Sequence, residues 1–238
     1  MALAIALILA ILPSALILRY FLKRDAFPEP RGAIAKTFAW GVASIIPAVI
    51  LALILISIVP GVSAGDTGGA FVRAAVIAFF GAAIPEELFK FAVLFFYCRR
   101  LSDFDEPMDG IVYGVTASLG FATLENVLYV FDGGIGIAIM RGFTAVPGHA
   151  LFGAIMGFYF GLAHFLPGRR RLYWAAYLLP VLLHGLYNTP LLALESNVSG
   201  AWALLSILVL VIGLVTARRL HRRLRSAQAP RAQRAALG

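Results

Sequence analysis

The residues of this chain that could do chemistry stand inside apolar runs. PEELFK carries Glu86, Glu87 and Lys90, FATLEN carries Glu125 and Asn126, a later stretch carries His149, and HGLYN carries His184 and Asn188. An ionisable side chain within hydrocarbon costs about 2.5–3.5 kcal/mol on insertion scales, so three carboxylates and an ammonium left unpaired would cost on the order of 10 kcal/mol. They must meet one another or water. Carboxylates and imidazoles take up and release protons, and imidazole and amide N–H groups donate hydrogen bonds, so the chemistry to expect is proton transfer in a shared wet pocket.

Helical spacing adds detail. Glu86 and Lys90 are i,i+4 and Glu87 and Lys90 are i,i+3, so one lysine can hold one carboxylate ionised while the other turns into the bundle. His184 and Asn188 are also i,i+4 and share a face. His149 heads the series Gly153, Gly157, Gly161, a stripe of small residues that lets another helix approach closely. Pro85 and the Pro147-Gly148 pair free backbone groups, which is tolerable in a membrane only where protein or a cavity satisfies them.

The elements that must position these residues follow from composition. Of 238 residues, 61% are hydrophobic and 13% charged, and the mean hydropathy is +0.89. That leaves too little polar surface for a soluble globule. Apolar runs of about twenty residues mark an all-α polytopic membrane bundle of about seven helices, near 2–22, 34–59, 70–97, 110–131, 135–166, 172–191 and 201–217. The net charge of +8 is not a nucleic-acid patch, because Lys and Arg lie just beyond the ends of the runs. They follow the first, third, fifth and seventh runs, while the other three connections (61–69, 132–134 and 195–200) carry none. The positive-inside rule therefore puts the amino terminus outside and the carboxyl terminus in the cytoplasm. The first run ends in RYFLKRD rather than a cleavage site and reads as a retained anchor. Residues 1–217 form the bundle, with a catalytic core over about 70–190, and the basic segment 218–238 is a cytoplasmic tail expected to be disordered or to lie on anionic lipid. Cys98 is the single cysteine, so no intramolecular disulfide forms.

Depth tests the clustering. At about 1.5 Å per residue, Glu86 and Glu87 lie roughly 20 Å above Arg99, His184 roughly 20 Å above Arg171, and His149 about 30 Å above Arg169. Glu125 and Asn188 come out slightly higher than the first two, so four helices contribute polar groups to one slab. Taken singly, each has a structural reading: an ion-pair network, a packing histidine, an interhelical hydrogen bond. Joint occurrence at one depth favours a site. Arg141 and His164 fall on the wrong face or depth, Asp109 and Tyr113 read as cap and packing for the fourth run, and the sequon at Asn197 is a short pattern in an outer loop.

In this order, EELFK, DGIVYG from Asp109, FATLEN, Gly148-His149 and HGLYN resemble the PrsW family of intramembrane proteases, within the wider group of CaaX prenyl endopeptidases. The resemblance spans roughly residues 70–190. The wider group has arginine after the paired glutamates and histidine in its second motif, where this chain has Lys90 and Glu125. The resemblance implies a multi-pass plasma-membrane enzyme that cleaves a membrane-anchored protein, in PrsW an anti-sigma factor. It implies that Glu86 or Glu87 activates water, that His149 or Glu125 orients that water and relays the proton, and that His184 and Asn188 donate to the oxyanion. No cofactor is required by that scheme, although two histidines and a glutamate from different helices suit zinc. A proton- or cation-coupled transporter is the rival class, disfavoured by the lack of an internal repeat. A catalytically dead scaffold that only binds single-span proteins is a third.

Overall fold

The computed structural model describes residues 2–59, 69–194 and 202–235, and every element among them is helical. The sequon at Asn197 and nearly all of the connections 61–69 and 195–200 lie outside the described residues. The chain begins with α1 (Ala2–Leu22), then α2 (Arg31–Ala43) and α3 (Ile45–Ile58), which form one run bent at Ser44. Pro47 has no N–H for the carbonyl of Ala43, and the Ser44 hydroxyl instead donates to Gly41 O at 2.7 Å. Next come α4 (Ala70–Val76), a π-helical segment (Ile77–Ala83), α5 (Ile84–Ala92), a second π segment (Val93–Tyr97) and a 3-10 turn (Cys98–Arg100). Pro85 explains the first π segment, because the missing N–H would have bonded Gly81 and the wider turn absorbs the mismatch.

Helix α6 (Pro107–Phe143) is the centre of the bundle and is buried continuously from Met108 to Thr123. Its start is capped by Asp109, whose Oδ2 accepts the N–H groups of Asp105 at 2.8 Å and Glu106 at 2.7 Å. Helix α7 (Ala145–Phe165) packs along it through glycine on both sides. A Cβ added at Gly153 would stand 2.6 Å from Gly114 O, and one at Gly157 would fall on the Gly110 carbonyl. A Cβ at Gly41 would likewise fall on the Ala117 carbonyl, so α2 also meets α6 backbone to backbone. Helices α8 (Leu172–Leu194) and α9 (Ala203–Ala235) close the bundle against α7.

Among the described residues, five helical stretches are long and apolar enough to cross a membrane: Leu3–Leu22, Arg31–Ile58, Pro107–Phe165, Leu172–Leu194 and Ala203–Gln228. Their outer faces are apolar and bare, as at Leu53, 67% exposed, and Phe143, 81% exposed. The expected seven-run reading counts α6 and α7 separately and adds the α/π stretch 70–97. The fifth run, expected from residue 135, instead starts at Ala145: Gly134 (φ 63, ψ −152) kinks α6, whose last segment continues to Phe143. Pro147 lies in the first turn of α7, the helical position where a missing N–H costs nothing. The basic segment from Arg218 is not a disordered tail over its described part, since α9 runs through it to Ala235. His221 packs on the Phe21 ring at 5.4 Å, and Gln228 is buried against Asp25.

Candidate active site

One turn of α5, set between the two π segments, presents Glu86, Glu87 and Lys90 to the inside. Lys90 is 0% exposed, and its ammonium donates to Glu87 Oε1 at 2.9 Å, Glu86 Oε2 at 3.2 Å and His149 Nδ1 at 3.0 Å. An ammonium has three N–H donors and no acceptor, so these partners satisfy it fully. The Nδ1 of His149 must then be the acceptor, which puts the neutral ring's proton on Nε2, and Nε2 donates to Glu125 Oε2 at 2.8 Å. The ring of Phe121 lies under the ammonium at 4.2 Å.

Helix α8 supplies the other imidazole. His184 Nδ1 donates to Glu87 Oε1 at 2.9 Å, and its Nε2 stands 4.0 Å from Glu86 Oε2. The ring is stacked on Phe152 at 5.4 Å, which fixes its plane. Glu87 is thus gripped from two helices on one oxygen, while its Oε2 is buried without a hydrogen-bond partner. Glu86 is the looser carboxylate, 14% exposed against 0% for Glu87.

Two cavities meet at this network. One of about 210 Å³ is walled by Glu125, Arg141, His149, His184 and Asn188. The other, about 230 Å³, reaches Glu86 from between α3 and α6, past Ala48, Ala52, Gly81, Phe121 and Leu128. Glu125 and Tyr129 border both. Each has room for several waters next to polar partners.

All six expected residues therefore fall at one place. Glu86, Glu87, Glu125, His149 and His184 form a continuous chain of polar contacts through Lys90, and Asn188 lines the cavity wall one turn beyond His184. Two readings change. Both ring nitrogens of His149 are occupied, so in this arrangement it orients its neighbours and not a water. Arg141, left out on grounds of face or depth, joins the site: the segment of α6 beyond Gly134 brings its guanidinium to Glu125 Oε1 as an ion pair at 2.9 Å, with Nε donating to Asn126 Oδ1 at 3.1 Å. The signal available was a lone arginine in an apolar run close after the Gly133-Gly134 pair.

Residues 29–216 match the family described as "PrsW family intramembrane metalloprotease". The chain belongs to the PrsW family. Protease PrsW of Geobacillus kaustophilus (strain HTA426) is 42% identical over 185 residues, 77% of this chain and 78% of that protein. Protease PrsW of Bacillus subtilis (strain 168) is 36% identical over 189 residues, 78% and 82% of the two chains. Protease PrsW of Oceanobacillus iheyensis (strain DSM 14371 / CIP 107618 / JCM 11309 / KCTC 3954 / HTE831) is 36% identical over 179 residues, 75% and 79%. No solved structure matches. As a PrsW protein the chain is a membrane-embedded protease, and its family is described as metal-dependent. Glu86, Glu87, His149 and His184 each offer a ligand atom, all within 4.8 Å of one another, and Glu87 Oε2 is an orphaned buried oxygen. This donor set fits a zinc-type cation.

Proposed function

We propose that this PrsW-family protease hydrolyses a peptide bond in or beside the transmembrane segment of a membrane-anchored protein, with Glu86 as the base that activates water. The observation that carries the reading is the unequal environment of the two adjacent glutamates. Glu87 is locked by Lys90 and His184, whereas Glu86 keeps an exposed edge on a cavity open between α3 and α6.

Glu86 takes a proton from water as the oxygen attacks the substrate carbonyl, then returns it to the leaving amine, giving a carboxyl and an amine terminus. Glu87 holds the Nδ1–H of His184 and balances its charge, so that a protonated Nε2 donates to the oxyanion together with the Asn188 amide; each such donor is worth about 3 kcal/mol in soluble proteases. Lys90 and His149 position the two acids, and Glu125, pinned by Arg141, orders water between the two cavities. Where a zinc-type cation is bound, Glu87, His184 and, if Lys90 yields Nδ1, His149 would hold it beside Glu86, and it would supply Lewis-acid polarisation and an acidified water.

The substrate's helix enters from lipid along Ala48, Ala52 and Gly81, whose small side chains leave the α3–α6 groove open. A membrane-anchored anti-sigma factor is the substrate class that the PrsW resemblance favours, and kinship with the CaaX prenyl endopeptidases belongs to the same reading. So do the plasma-membrane location, seven spans with the amino terminus outside, the functional core at 70–190 and the cytoplasmic placement of 218–238.

The test reconstitutes the full chain with a single-span substrate. Glu86→Gln should fold normally and lower the cleavage rate by about 10²–10⁴-fold, and proton-coupled flux with no cleavage in wild type would favour a transporter instead. Metal analysis and chelator treatment of the same preparation decide between zinc-assisted and glutamate-only chemistry.

A further inference from the structure

A second polar cluster, outside the proteolytic site, lies at the end of the bundle that carries Lys23, Arg24, Arg99 and Arg100. Asp25 and Glu29 come from the α1–α2 connection and Asp109 from the first turn of α6, and each offers a carboxylate oxygen within 4.8 Å of the others. Fixed hydrogen bonds orient all three carboxylates, and Glu29 and Asp109 also share a side-chain hydrogen bond with each other. Asp25 Oδ1 accepts from Phe27 N at 3.2 Å and from Gln228 Nε2 at 2.8 Å, Glu29 Oε2 accepts from the Tyr113 hydroxyl, and Asp109 Oδ2 accepts two backbone N–H groups. Donors of this kind orient metal-binding carboxylates.

The balance of charge is unusual. Every ion pair among the described residues involves Lys90, Arg141, His149 or His184, so among the described side chains no cation pairs with these three acids. The Arg24 guanidinium is instead over the Tyr20 ring at 4.2 Å. Asp25 is 8% exposed, and its Oδ2 is buried with no hydrogen-bond partner. A buried carboxylate oxygen without a partner, on an acid grouped with two further carboxylates, is a strong penalty unless a cation or a proton offsets it.

We propose that Asp25, Glu29 and Asp109 form a binding site for a hard divalent cation, Ca2+ or Mg2+, that fastens the α1–α2 connection to α6 and, through Gln228, to the end of α9. The all-oxygen donor set selects this class over zinc. Ligands on opposite sides of Ca2+ stand about 4.6–5.2 Å apart and of Mg2+ about 4.0–4.2 Å, so the observed convergence accepts Ca2+ as it stands and Mg2+ with slight closure.

The experiment uses the full chain in micelles, stripped with chelator, then titrated separately with CaCl2 and MgCl2 while thermal unfolding is followed. Tb3+ replaces Ca2+ as a luminescent probe, excited through Tyr113, which touches the Glu29 ligand. The expected result is a midpoint that rises with one or both ions, Tb3+ luminescence displaced by the same ion, and affinity at least tenfold weaker in both Asp25→Asn and Glu29→Gln. Glu86→Gln should leave this binding unchanged. The proposal is overturned if wild type shows no ion-dependent midpoint, if binding survives both substitutions, or if it is lost in Glu86→Gln. Since cleavage is not the readout, failure here would leave the proteolytic reading untouched.

Discussion

Lys90 should be the most sensitive single position in the protein. Its ammonium is 0% exposed and donates three hydrogen bonds, two to carboxylates and one to an imidazole. Lys90→Met keeps the stem and removes the charge. Three charge-assisted bonds at about 1.5–3 kcal/mol each would sum to roughly 4.5–9 kcal/mol. That sum is an upper bound, because a carboxylate losing its partner can take up a proton. Removing one member of a buried ion pair costs about 3–5 kcal/mol, and this is the expected loss. Reversible unfolding in mixed micelles would measure it for wild type, Lys90→Met, Glu87→Gln and the double variant. Glu87→Gln removes the most deeply buried of the charges left behind, so the double variant should be less destabilised than the two singles combined, by about 1–3 kcal/mol of coupling. Cleavage should be lost in all three variants. A Lys90→Met cost below about 1 kcal/mol, or additive losses, would refute the argument that this ammonium holds the site together.

Other consequences follow from the same geometry. Arg141→Gln removes the ion pair to Glu125 and the bond to Asn126; stability should fall by about 1–3 kcal/mol and cleavage by a larger factor than for Arg141→Lys, both measurable on one preparation. Gly157→Ala sets a Cβ against the Gly110 backbone and 2.8 Å from Ile111 Cα, atoms that cannot rotate away; it should cost about 3 kcal/mol or more in micelle unfolding, whereas Gly32→Ala, with nothing within 4 Å, should be tolerated. Burial pushes the Asp25 and Glu29 carboxyls above their ordinary values, aided by Asp105 beside the first and by Asp25 and Asp103 beside the second. An acid raised in the folded state stabilises while protonated, so in chelator the thermal midpoint should decline as pH climbs from about 4 through those raised values, and a divalent cation should flatten the decline.

Glu86, Glu87, Lys90 and the two histidines were legible in the sequence because charge inside an apolar run needs a partner, whatever the fold. The all-helical build was legible for a similar reason, since run length alone indicates a spanning helix. Depth was read less well where helices stop. His149 was placed about 30 Å above Arg169 by counting every residue as helical rise, yet α7 ends at Phe165. The sixteen residues from there to His149 give about 24 Å, close to Glu86, as the Lys90 contact requires. Arg141 was missed because a linear count assumes the chain keeps its direction, and Gly134, at φ 63, changes it. The helical course of α9 beyond Ala217 was hidden by composition: a run of Arg, Ala and Gln resembles a solvated tail, and only the buried Gln228 and His221 show what it docks against.

The two neighbouring glutamates illustrate why identical residue types need not share a role. Glu87 and Lys90 are one turn apart, and Lys90 would hold either acid equally well from spacing alone. What separates them is α8, because His184 donates Nδ1–H to Glu87 while its Nε2 stays 4.0 Å from Glu86. A carboxylate with two strong donors on one oxygen is a poor base, since those donors favour its charged form. Glu86 has one donor at a longer 3.2 Å and an edge on a cavity, so protonating it sacrifices less and water can reach it. By the same logic His184→Gln should lower cleavage and also loosen Glu87, shrinking the difference between the Glu86→Gln and Glu87→Gln phenotypes. If Glu87→Gln kept its rate in the His184→Gln background and lost it in wild type, the assignment of Glu87 as the positioning acid would hold on kinetic grounds. Equal losses in both backgrounds would move the base to Glu87.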